Sequence, residues 1–355
     1  MHTHSSSSAQ LRLVFWETTT SCNLKCIHCR ASAVESRSAE ELTLDQSCEL
    51  LTQIASFAKP VIVLSGGEPL VRPDILDIAR HGTDLGLRMV LATNGTTVED
   101  KIARGMIDAG IQRVSISIDG ADAATHDSFR GLSGAFEDAL RGIDRCKAAG
   151  MPVQINTTVA KHNVDQLPQI LELATSLGAC ALHVFLLVPT GCGKEISGRQ
   201  MITPDQYEAV LNWLYDASKT SPINLKATCA PHYFRVMRQR AAKEGIKITP
   251  ETHGLEAMTK GCLAGSAVCF VSYKGDVYPC GYFPVSAGNV LKTPMGDIWR
   301  DSELFASLRD PSLLKGKCSG CEFSRACGGC RARAYAETGD YLEEEPYCVY
   351  EPRTR

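Results

Sequence analysis

Residues 21–30 read Ser-Cys-Asn-Leu-Lys-Cys-Ile-His-Cys-Arg and place Cys22, Cys26 and Cys29 at the spacing C-x3-C-x2-C. A cubic four-iron cluster needs a ligand on each iron, and in proteins these ligands are usually thiolates. Three thiolates leave one iron open, and an open metal position can bind a small molecule, as it does in catalytic zinc sites. The alternatives are a zinc knuckle and three cysteines that pack in the core. The sequences that follow the trio favour the cluster.

The trio resembles the cluster-binding loop of the radical S-adenosylmethionine (SAM) enzymes. In that family the open iron binds the amino and carboxylate groups of SAM. An electron from the cluster then splits SAM into methionine and a 5′-deoxyadenosyl radical. The resemblance implies the same [4Fe-4S] cluster and the same cofactor here, with Cys22, Cys26 and Cys29 as cluster ligands and catalytic residues.

The composition is that of a packed protein with one large domain or two ordinary ones: 355 residues, of which 44% are hydrophobic. The net charge of −3 argues against a broad basic face for nucleic acid. Residues 1–10 predict a disordered leader and not a signal peptide, and no segment reaches the roughly 18 apolar residues of a membrane helix. Sixteen cysteines without a signal peptide indicate metal or cluster ligation in a reducing cytoplasm.

Six apolar runs rich in Val and Ile predict strands buried on both faces, at residues 11–17, 60–64, 88–92, 113–118, 152–159 and 182–188. Helical patterns separate them, at residues 43–57, 73–86, 98–110, 136–150 and 164–178. Such alternation predicts an α/β fold with a parallel sheet and right-handed crossovers. Eight units would close a full barrel, so six predict an open, partial (β/α)6 TIM-like barrel whose site lies at the carboxyl ends of the strands.

Polar and glycine-rich loops follow these strands. In the radical SAM family a G-G-E-P motif contacts the amino group of SAM, so the resemblance implies that role for Gly66, Gly67, Glu68 and Pro69. Later loops and strands carry further candidates for the ribose and the methionine carboxylate. The alternative for each is a capping or turn residue. These candidates are Thr93, Asn94, Ser117, Asp119 and Asn156.

A second group of cysteines lies near the end of the chain, at positions Cys262, Cys280, Cys318, Cys321, Cys327, Cys330 and Cys348. Closely spaced pairs in glycine-rich loops supply the tight turns that cluster ligation needs, with zinc ribbons as the alternative. Residues 266–278 alternate and turn at 274–276, which predicts a hairpin.

The C-terminal array resembles the SPASM extension of certain radical SAM enzymes, which holds auxiliary four-iron clusters. Seven cysteines are one short of the eight that two clusters need, and Cys269 is the candidate for the eighth. The resemblance implies one [4Fe-4S] cluster on Cys262, Cys269, Cys280 and Cys330, and another on Cys318, Cys321, Cys327 and Cys348. Alternatively, the first cluster is incompletely ligated and Cys269 is a small buried hydrophobe. The final spacing is x2 where x3 is usual, which leaves the pairing of Cys330 open.

The remaining cysteines are predicted core or loop thiols, and we expect two of them, Cys192 and Cys229, to lie near substrate. The five are Cys48, Cys146, Cys180, Cys192 and Cys229.

Local strings at residues 228–233, 279–284 and 329–336 resemble the haem-synthesis branch of the SPASM enzymes. Residues 13–17 are most similar to the SAM-dependent haem synthases. That resemblance implies oxidative decarboxylation of two propionates of iron-coproporphyrin III to vinyl groups, giving haem b. The alternatives are a peptide- or protein-modifying maturase, a haem d1 biosynthesis enzyme, and a non-catalytic electron carrier or zinc scaffold.

Candidate substrate contacts are basic and aromatic. Guanidinium groups pair with carboxylates in bidentate fashion, which makes arginines the natural partners of propionates. His232 and Tyr233 lie at a predicted helix start, where an anion can meet the positive end of the helix dipole, unless the helix is simply amphipathic. His183 and His232 are candidates for the haem iron. The arginine candidates are Arg130, Arg235, Arg331 and Arg333.

We therefore predict four regions: a leader (residues 1–10), a radical SAM partial barrel (11–190), a helical linker and substrate region (191–260) and a SPASM domain (261–355). The resemblance further implies a flavodoxin- or ferredoxin-type electron donor. We expect a cytoplasmic monomer without nucleic-acid or membrane partners.

Overall fold

The computed structural model of the protein describes residues 9–254, 257 and 259–353. The leader predicted for residues 1–10 therefore lies outside the described residues, apart from its last two positions. Ten strands form a single sheet in the order β10-β9-β8-β1-β2-β3-β4-β5-β6-β7. They are β1 Leu13–Glu17, β2 Val61–Ser65, β3 Arg88–Thr93, β4 Val114–Ser117, β5 Val153–Val159, β6 Ala181–Leu186, β7 Asn224–Thr228, β8 Val268–Val271, β9 Asp276–Tyr278 and β10 Gly288–Asn289.

Every pairing from β8 through β1 to β7 is parallel, whereas β8, β9 and β10 pair antiparallel. The sheet is open, because its order begins at β10 and ends at β7. This arrangement confirms the partial barrel with a C-terminal extension. The predicted hairpin is confirmed as β8 and β9. Its parallel pairing with β1 extends the barrel sheet by a strand that follows the barrel in sequence.

Helices connect the strands. They are α1 Leu44–Phe57, α2 Ile75–Asp84, α3 Asp100–Asp108, α4 Ala123–Arg130, α5 Ala135–Ala148, α6 Leu167–Ser176, α7 Cys192–Gln200, α8 Pro204–Ser218, α9 Tyr233–Lys243, α10 Pro250–His253, α11 Met295–Asp301, α12 Glu303–Arg309, α13 Gly316–Ser319 and α14 Arg331–Thr338. Capping boxes at Thr43 and Thr203 begin α1 and α8, where each hydroxyl accepts a backbone N–H of the first turn. In the described part of the chain, no helix has both the length and the apolar character that a bilayer span requires.

The barrel strands bury one face fully and leave the other polar in places. Val114 and Ile116 of β4 belong to the main hydrophobic core, which β1–β8 share with the surrounding helices. Ser117 lies on the opposite face of β4, because side chains alternate along a strand. The prediction of apolar strands buried on both faces is therefore wrong in one respect for β4 and β5, because Ser115 and Gln154 of the second face are buried but polar. Their inner face, called the lumen face below, carries polar side chains.

The region predicted as a helical linker, residues 191–260, also contains a strand that the sequence pattern did not predict. This strand is β7, which pairs in parallel with β6. Asn224 and Lys226 have low β propensity and are exposed, so no apolar run marks the strand. Its pairing with β6 places the region at the edge of the barrel.

Candidate active site

The cysteine loop, defined here as residues 18–34, follows β1 at the carboxyl edge of the sheet. The backbone N–H of Leu24 donates to Cys22 Sγ at 3.4 Å, and that of Ala33 donates to Cys29 Sγ at 3.4 Å. Hydrogen bonds to sulfur stabilise thiolate charge and tune an iron–sulfur cluster. Burial raises the pKa of Cys22 to about 11, so its thiol must lose a proton when it binds metal. The donor set therefore fits a thiolate-bound cluster.

The third cysteine of the loop, Cys26, has a charged partner. Arg130 Nη1 donates to Cys26 Sγ at 3.8 Å, while Arg130 Nη2 lies 2.6 Å from Asp119 Oδ2. Burial by itself would raise the pKa of Asp119, but the Arg130 guanidinium, two nearby imidazoles and the Thr158 backbone N–H together outweigh it and the net pKa is lowered. Arg130 therefore bridges a buried carboxylate after β4 and a sulfur of the cysteine loop. This contact replaces the predicted role of Arg130 as a propionate ligand, because both ends of its guanidinium are already engaged.

Aromatic stacking fixes the same part of the loop. The ring of His28 stacks on Phe129 with centroids 3.9 Å apart, and Phe129 stacks on His162 with centroids 3.7 Å apart. His28 Nε2 lies 3.5 Å from Asp119 Oδ2. Burial lowers the pKa of His28 to about 3, so at neutral pH this contact joins a neutral imidazole to the Asp119 carboxylate. The stack anchors the segment between Cys26 and Cys29 to α4.

The glycines after β2 lie against the cysteine loop. The backbone N–H of Gly67 donates to the Thr19 carbonyl, and that of Glu68 donates to the Ser21 carbonyl, both at 2.8 Å. A Cβ atom on Gly66 would lie 2.5 Å from the Thr19 oxygen, and one on Gly67 would lie 2.3 Å from the Ser21 oxygen. Glycine is required at both positions because the two backbones approach so closely.

Glu68 joins the loops that follow β2 and β3. Its carboxylate accepts the Thr93 hydroxyl at 2.8 Å and the Asn94 backbone N–H at 2.7 Å. Burial raises the pKa of Glu68, and these hydrogen bonds oppose that shift. Asn94 Nδ2 donates in turn to Asn23 Oδ1 at 2.8 Å. The three predicted residues Glu68, Thr93 and Asn94 therefore meet beside the cysteine loop, and Pro69 is buried at the start of the next turn.

A row of polar residues crosses the lumen face. Ser117, Asn156, His183 and Lys226 are successive register partners on β4, β5, β6 and β7. Gln154 Nε2 donates to Asn156 Oδ1 at 2.7 Å and contacts His183 Nδ1 at 3.0 Å. The predicted residues Ser117 and Asn156 belong to this row, while Asp119 lies outside it in its ion pair with Arg130. Gln154 and Lys226 were missed. Lys226 was missed because β7 was not recognised as a strand.

Arg30 was also missed, although it directly follows Cys29. Its Nη2 lies 2.9 Å from Glu17 Oε1, and its Nη1 donates to the Gly281 carbonyl at 3.3 Å. The guanidinium carbon lies 4.5 Å from the centroid of the Phe270 ring. Arg30 therefore links the cysteine loop to the C-terminal extension.

Two of the arginines predicted to bind propionates, Arg235 of α9 and Arg331 of α14, donate hydrogen bonds to other groups of the protein. Arg235 Nη1 donates to Glu208 Oε1 at 2.8 Å. Arg331 Nη1 donates to the carbonyls of Tyr341 and Glu343 at 3.0 and 2.7 Å. Both side chains are buried. Their predicted role as propionate ligands is therefore replaced by a structural one.

Arg333 and Glu345 form a second buried pair, in which Arg333 Nη1 lies 3.1 Å from Glu345 Oε1 and neither side chain is exposed. His232 Nε2 lies 3.8 Å from the same carboxylate. Burial lowers the pKa of His232 to about 4, so the imidazole is neutral at neutral pH. His232 and Tyr233 are both buried. This environment opposes the predictions that Arg333, His232 and Tyr233 contact substrate from the lumen.

Four of the C-terminal cysteines line one cavity together with His232 and Arg235: Cys318, Cys321, Cys327 and Cys348. This set matches the four cysteines predicted for one auxiliary cluster. In the described residues, no three His, Cys, Asp or Glu side chains converge on a point as a single-ion site would need. A single zinc ion would need all its sulfur ligands about 2.3 Å from one point, whereas a cubic cluster binds its four cysteines on four separate irons.

The predicted ligand Cys269 is not part of the other set. Cys269 is fully buried on β8 in register with Val14 of β1, and both belong to the main hydrophobic core. Burial is the cause that raises its pKa, with no contribution from another cysteine. Cys280 and Cys330 lie in a separate small cluster. The position of Cys269 therefore argues against the prediction that it is a ligand and agrees with the alternative that it is a small buried hydrophobe.

Comparison with known proteins agrees with these two cysteine regions. Residues 16–174 match the radical SAM superfamily, and residues 262–322 match the iron–sulfur cluster-binding domain SPASM. An AdoMet-dependent heme synthase of Methanosarcina barkeri is 57% identical over 96% of this chain and 97% of its own length. One from Oleidesulfovibrio alaskensis is 48% identical over 98% of this chain and 89% of its own length.

The fold agrees as well. The crystal structure of Streptococcus suis SuiB bound to S-adenosylmethionine superposes with a TM-score of 0.74, at 16% identity, over 96% of this chain and 78% of SuiB. The two domains bring with them SAM, a [4Fe-4S] cluster and auxiliary iron–sulfur clusters, which the donor sets above fit. The chain belongs to the radical SAM superfamily and, within it, to the SPASM-containing family of the AdoMet-dependent heme synthases.

Proposed function

We propose that the enzyme decarboxylates two propionates of iron-coproporphyrin III to vinyl groups and so produces haem b. The observation that carries this proposal is the 57% identity to a heme synthase along nearly the whole of both chains. The geometry of the cysteine loop supports radical SAM chemistry, and the near-complete coverage at this identity supports the tetrapyrrole as substrate. SuiB shares the fold, and at 16% identity the likeness concerns the fold alone.

Each group of residues in the site has a proposed role in this reaction. When bound, the cluster and SAM would supply hydrogen-atom abstraction by a 5′-deoxyadenosyl radical at the propionate carbon next to the macrocycle. Cys22, Cys26 and Cys29 would hold the cluster, and the backbone at residues 66–69, which lies against the cysteine loop, is the proposed contact for the amino group of SAM. Ser117 and Asn156 are the proposed contacts for the rest of the cofactor, since they lie on the lumen face.

Substrate carboxylates need a cation on the lumen face. We propose that Lys226 supplies it, because it lies in register with His183 on the inner side of β7. Burial lowers the pKa of His183 to about 3, and its Nδ1 faces the Gln154 amide. A neutral His183 would carry its proton on Nε2 and could donate it to a carboxylate. The ammonium and the imidazole would thus share one propionate.

The proposed function is tested by incubating anaerobically reconstituted protein with SAM, a reductant and iron-coproporphyrin III. We expect the mono- and divinyl products to appear in sequence by mass spectrometry. The absence of any vinyl product, in a preparation that does cleave SAM, would contradict the proposal. Conversion of a haem d1 precursor or crosslinking of a peptide by the same preparation would assign it to the corresponding alternative.

Other aspects of the function stay predictions. Each propionate that loses a hydrogen atom and carbon dioxide leaves one electron, which an acceptor must remove. We expect a flavodoxin- or ferredoxin-type donor, a monomeric enzyme and a cytoplasmic location. Size-exclusion chromatography of the holoenzyme and reduction by purified flavodoxin test two of these expectations directly.

A further inference from the structure

The first auxiliary set has three cysteines once Cys269 is excluded. Cys280 and Cys330 pack in the same small cluster, and the backbone N–H of Cys262 donates to the Cys327 carbonyl at 3.0 Å. A Cβ atom on Gly328 would lie 3.9 Å from the Cβ of Cys262, which places Cys262 beside the loop that leads to Cys330. A fully ligated four-iron cluster needs one more thiolate.

Cys229 lies beside this set. It packs on the same small cluster as Cys280 and Cys330. Cys269, by contrast, packs in the main hydrophobic core in register with Val14 of β1. Cys229 directly follows β7, so it comes from the carboxyl edge of the barrel and not from the C-terminal extension.

The backbone at Cys229 is held in an unusual conformation. Its φ of 56° is in the left-handed region, which among the described non-glycine residues only Ser32 shares. The Tyr207 hydroxyl and Arg333 Nη2 each donate to the Cys229 carbonyl at 3.0 Å. Strained backbone of this kind persists where surrounding contacts fix it, and it concentrates at functional sites. Two side chains, one from α8 and one from α14, therefore fix this turn beside Cys280 and Cys330.

We propose that Cys229 supplies the fourth thiolate of the first auxiliary cluster, together with Cys262, Cys280 and Cys330. The cluster then joins the end of β7 to the C-terminal extension. All four of its irons carry a thiolate, so none is left open for a propionate of the substrate. Cys229 is thereby reassigned from a loop thiol near substrate to a structural ligand.

The test compares Cys229→Ala and Cys229→Ser with Cys269→Ala as the matched control, using iron content and electron paramagnetic resonance of the reconstituted holoprotein. Three four-iron clusters give about twelve irons per chain. We expect Cys229→Ala to fall to about eight irons or, if one iron alone is lost, to show a new three-iron signal after mild oxidation. Cys269→Ala should keep the iron content and the signal of the parent protein.

The serine variant covers the case in which the alanine variant fails to fold, because a serine side chain is nearly isosteric with that of cysteine. An oxygen ligand should shift the electron paramagnetic resonance signal of one auxiliary cluster. The SAM-responsive signal of the cluster on the cysteine loop should stay unchanged. A Cys229→Ser protein with the parent's spectrum and iron content would overturn the proposal, as would loss of iron in Cys269→Ala. Neither measurement uses the tetrapyrrole, so failure of the proposed haem synthesis would not affect this test.

Discussion

Arg130 shows how one residue can connect the fold to the chemistry. Its guanidinium contacts the fully buried Asp119 carboxylate on one side and Cys26 Sγ on the other. Replacing one partner of a buried ion pair costs more than the pair itself contributes, because the remaining charge is left without compensation in a poorly solvated place. Arg130 therefore acts as a positioning residue for the cysteine loop.

We predict that Arg130→Gln lowers the free energy of unfolding by about 3–5 kcal/mol, because it leaves the Asp119 carboxylate unpaired. The same change should alter the signal of the reduced cluster, since a hydrogen bond to Cys26 is removed. Thermal unfolding of the anaerobic protein and electron paramagnetic resonance measure the two effects. Arg141→Gln is the control, because Arg141 pairs with Asp138 in an exposed position. Equal behaviour of the two variants would contradict the assignment.

The lumen lysine gives a prediction that separates substrate binding from cofactor chemistry. We expect Lys226→Gln to weaken iron-coproporphyrin III binding by about 1.5–3 kcal/mol, the usual contribution of a hydrogen bond to a charged group. SAM cleavage without substrate should be unchanged. Absorbance titration of the holoenzyme with the tetrapyrrole measures the affinity. Lys101→Gln on α3 is the control, because Lys101 is exposed on the outer side of the barrel. An unchanged affinity for Lys226→Gln would remove this residue from the site.

His183 gives a prediction on pH dependence. Burial, followed by the nearby Lys226 and Arg113, lowers its pKa from 6.5 to about 3. Between these values the unfolded chain binds a proton that the folded chain does not, so stability falls as the pH falls through this window. We expect His183→Gln to reduce the dependence of the melting temperature on pH between about 6.5 and 4, relative to the parent protein. Parallel pH profiles for the two proteins would contradict the assigned burial.

At the scale of secondary-structure elements, the loops after β1 and β2 are fitted to each other through backbone contacts. We predict that Gly67→Ala destabilises the protein by about 1–3 kcal/mol, because the added methyl group would lie 2.3 Å from the Ser21 carbonyl oxygen. Iron incorporation at the cysteine loop should fall with it. Gly198→Ala on α7 is the control, since its Cβ would meet nothing within 4 Å. Equal iron content and melting temperature in the two variants would show that the approach is not tight.

The secondary-structure elements differ in how far they could be predicted from the sequence. The strands β1–β6 follow from apolar runs, and the cysteine loop and the glycines at residues 66–67 follow from their spacing. The strand β7 did not, because Asn224 and Lys226 interrupt any apolar pattern. The burial of Cys269 in the core could not be predicted, because the side of β8 on which it lies depends on the pairing of β8 with β1. That pairing joins residues distant in the chain, and no local pattern reveals it.

At the scale of the whole molecule, the C-terminal extension is continuous with the barrel. The parallel pairing of β8 with β1 places the extension beside the first barrel strand. Arg30 reaches the Gly281 carbonyl, and the Thr190 hydroxyl donates to the Tyr282 carbonyl at 2.9 Å. These contacts hold the extension against the cysteine loop and the end of β6. The cysteine loop and the C-terminal extension are therefore in direct contact.

We propose that the barrel lumen brings a radical generated from SAM to the propionates of a tetrapyrrole. The ratio of 5′-deoxyadenosine to vinyl groups formed from iron-coproporphyrin III under anaerobic, reducing conditions tests this directly. We predict one 5′-deoxyadenosine for each propionate converted, with haem b as the final product. Formation of 5′-deoxyadenosine without any vinyl group, at saturating tetrapyrrole, would contradict it.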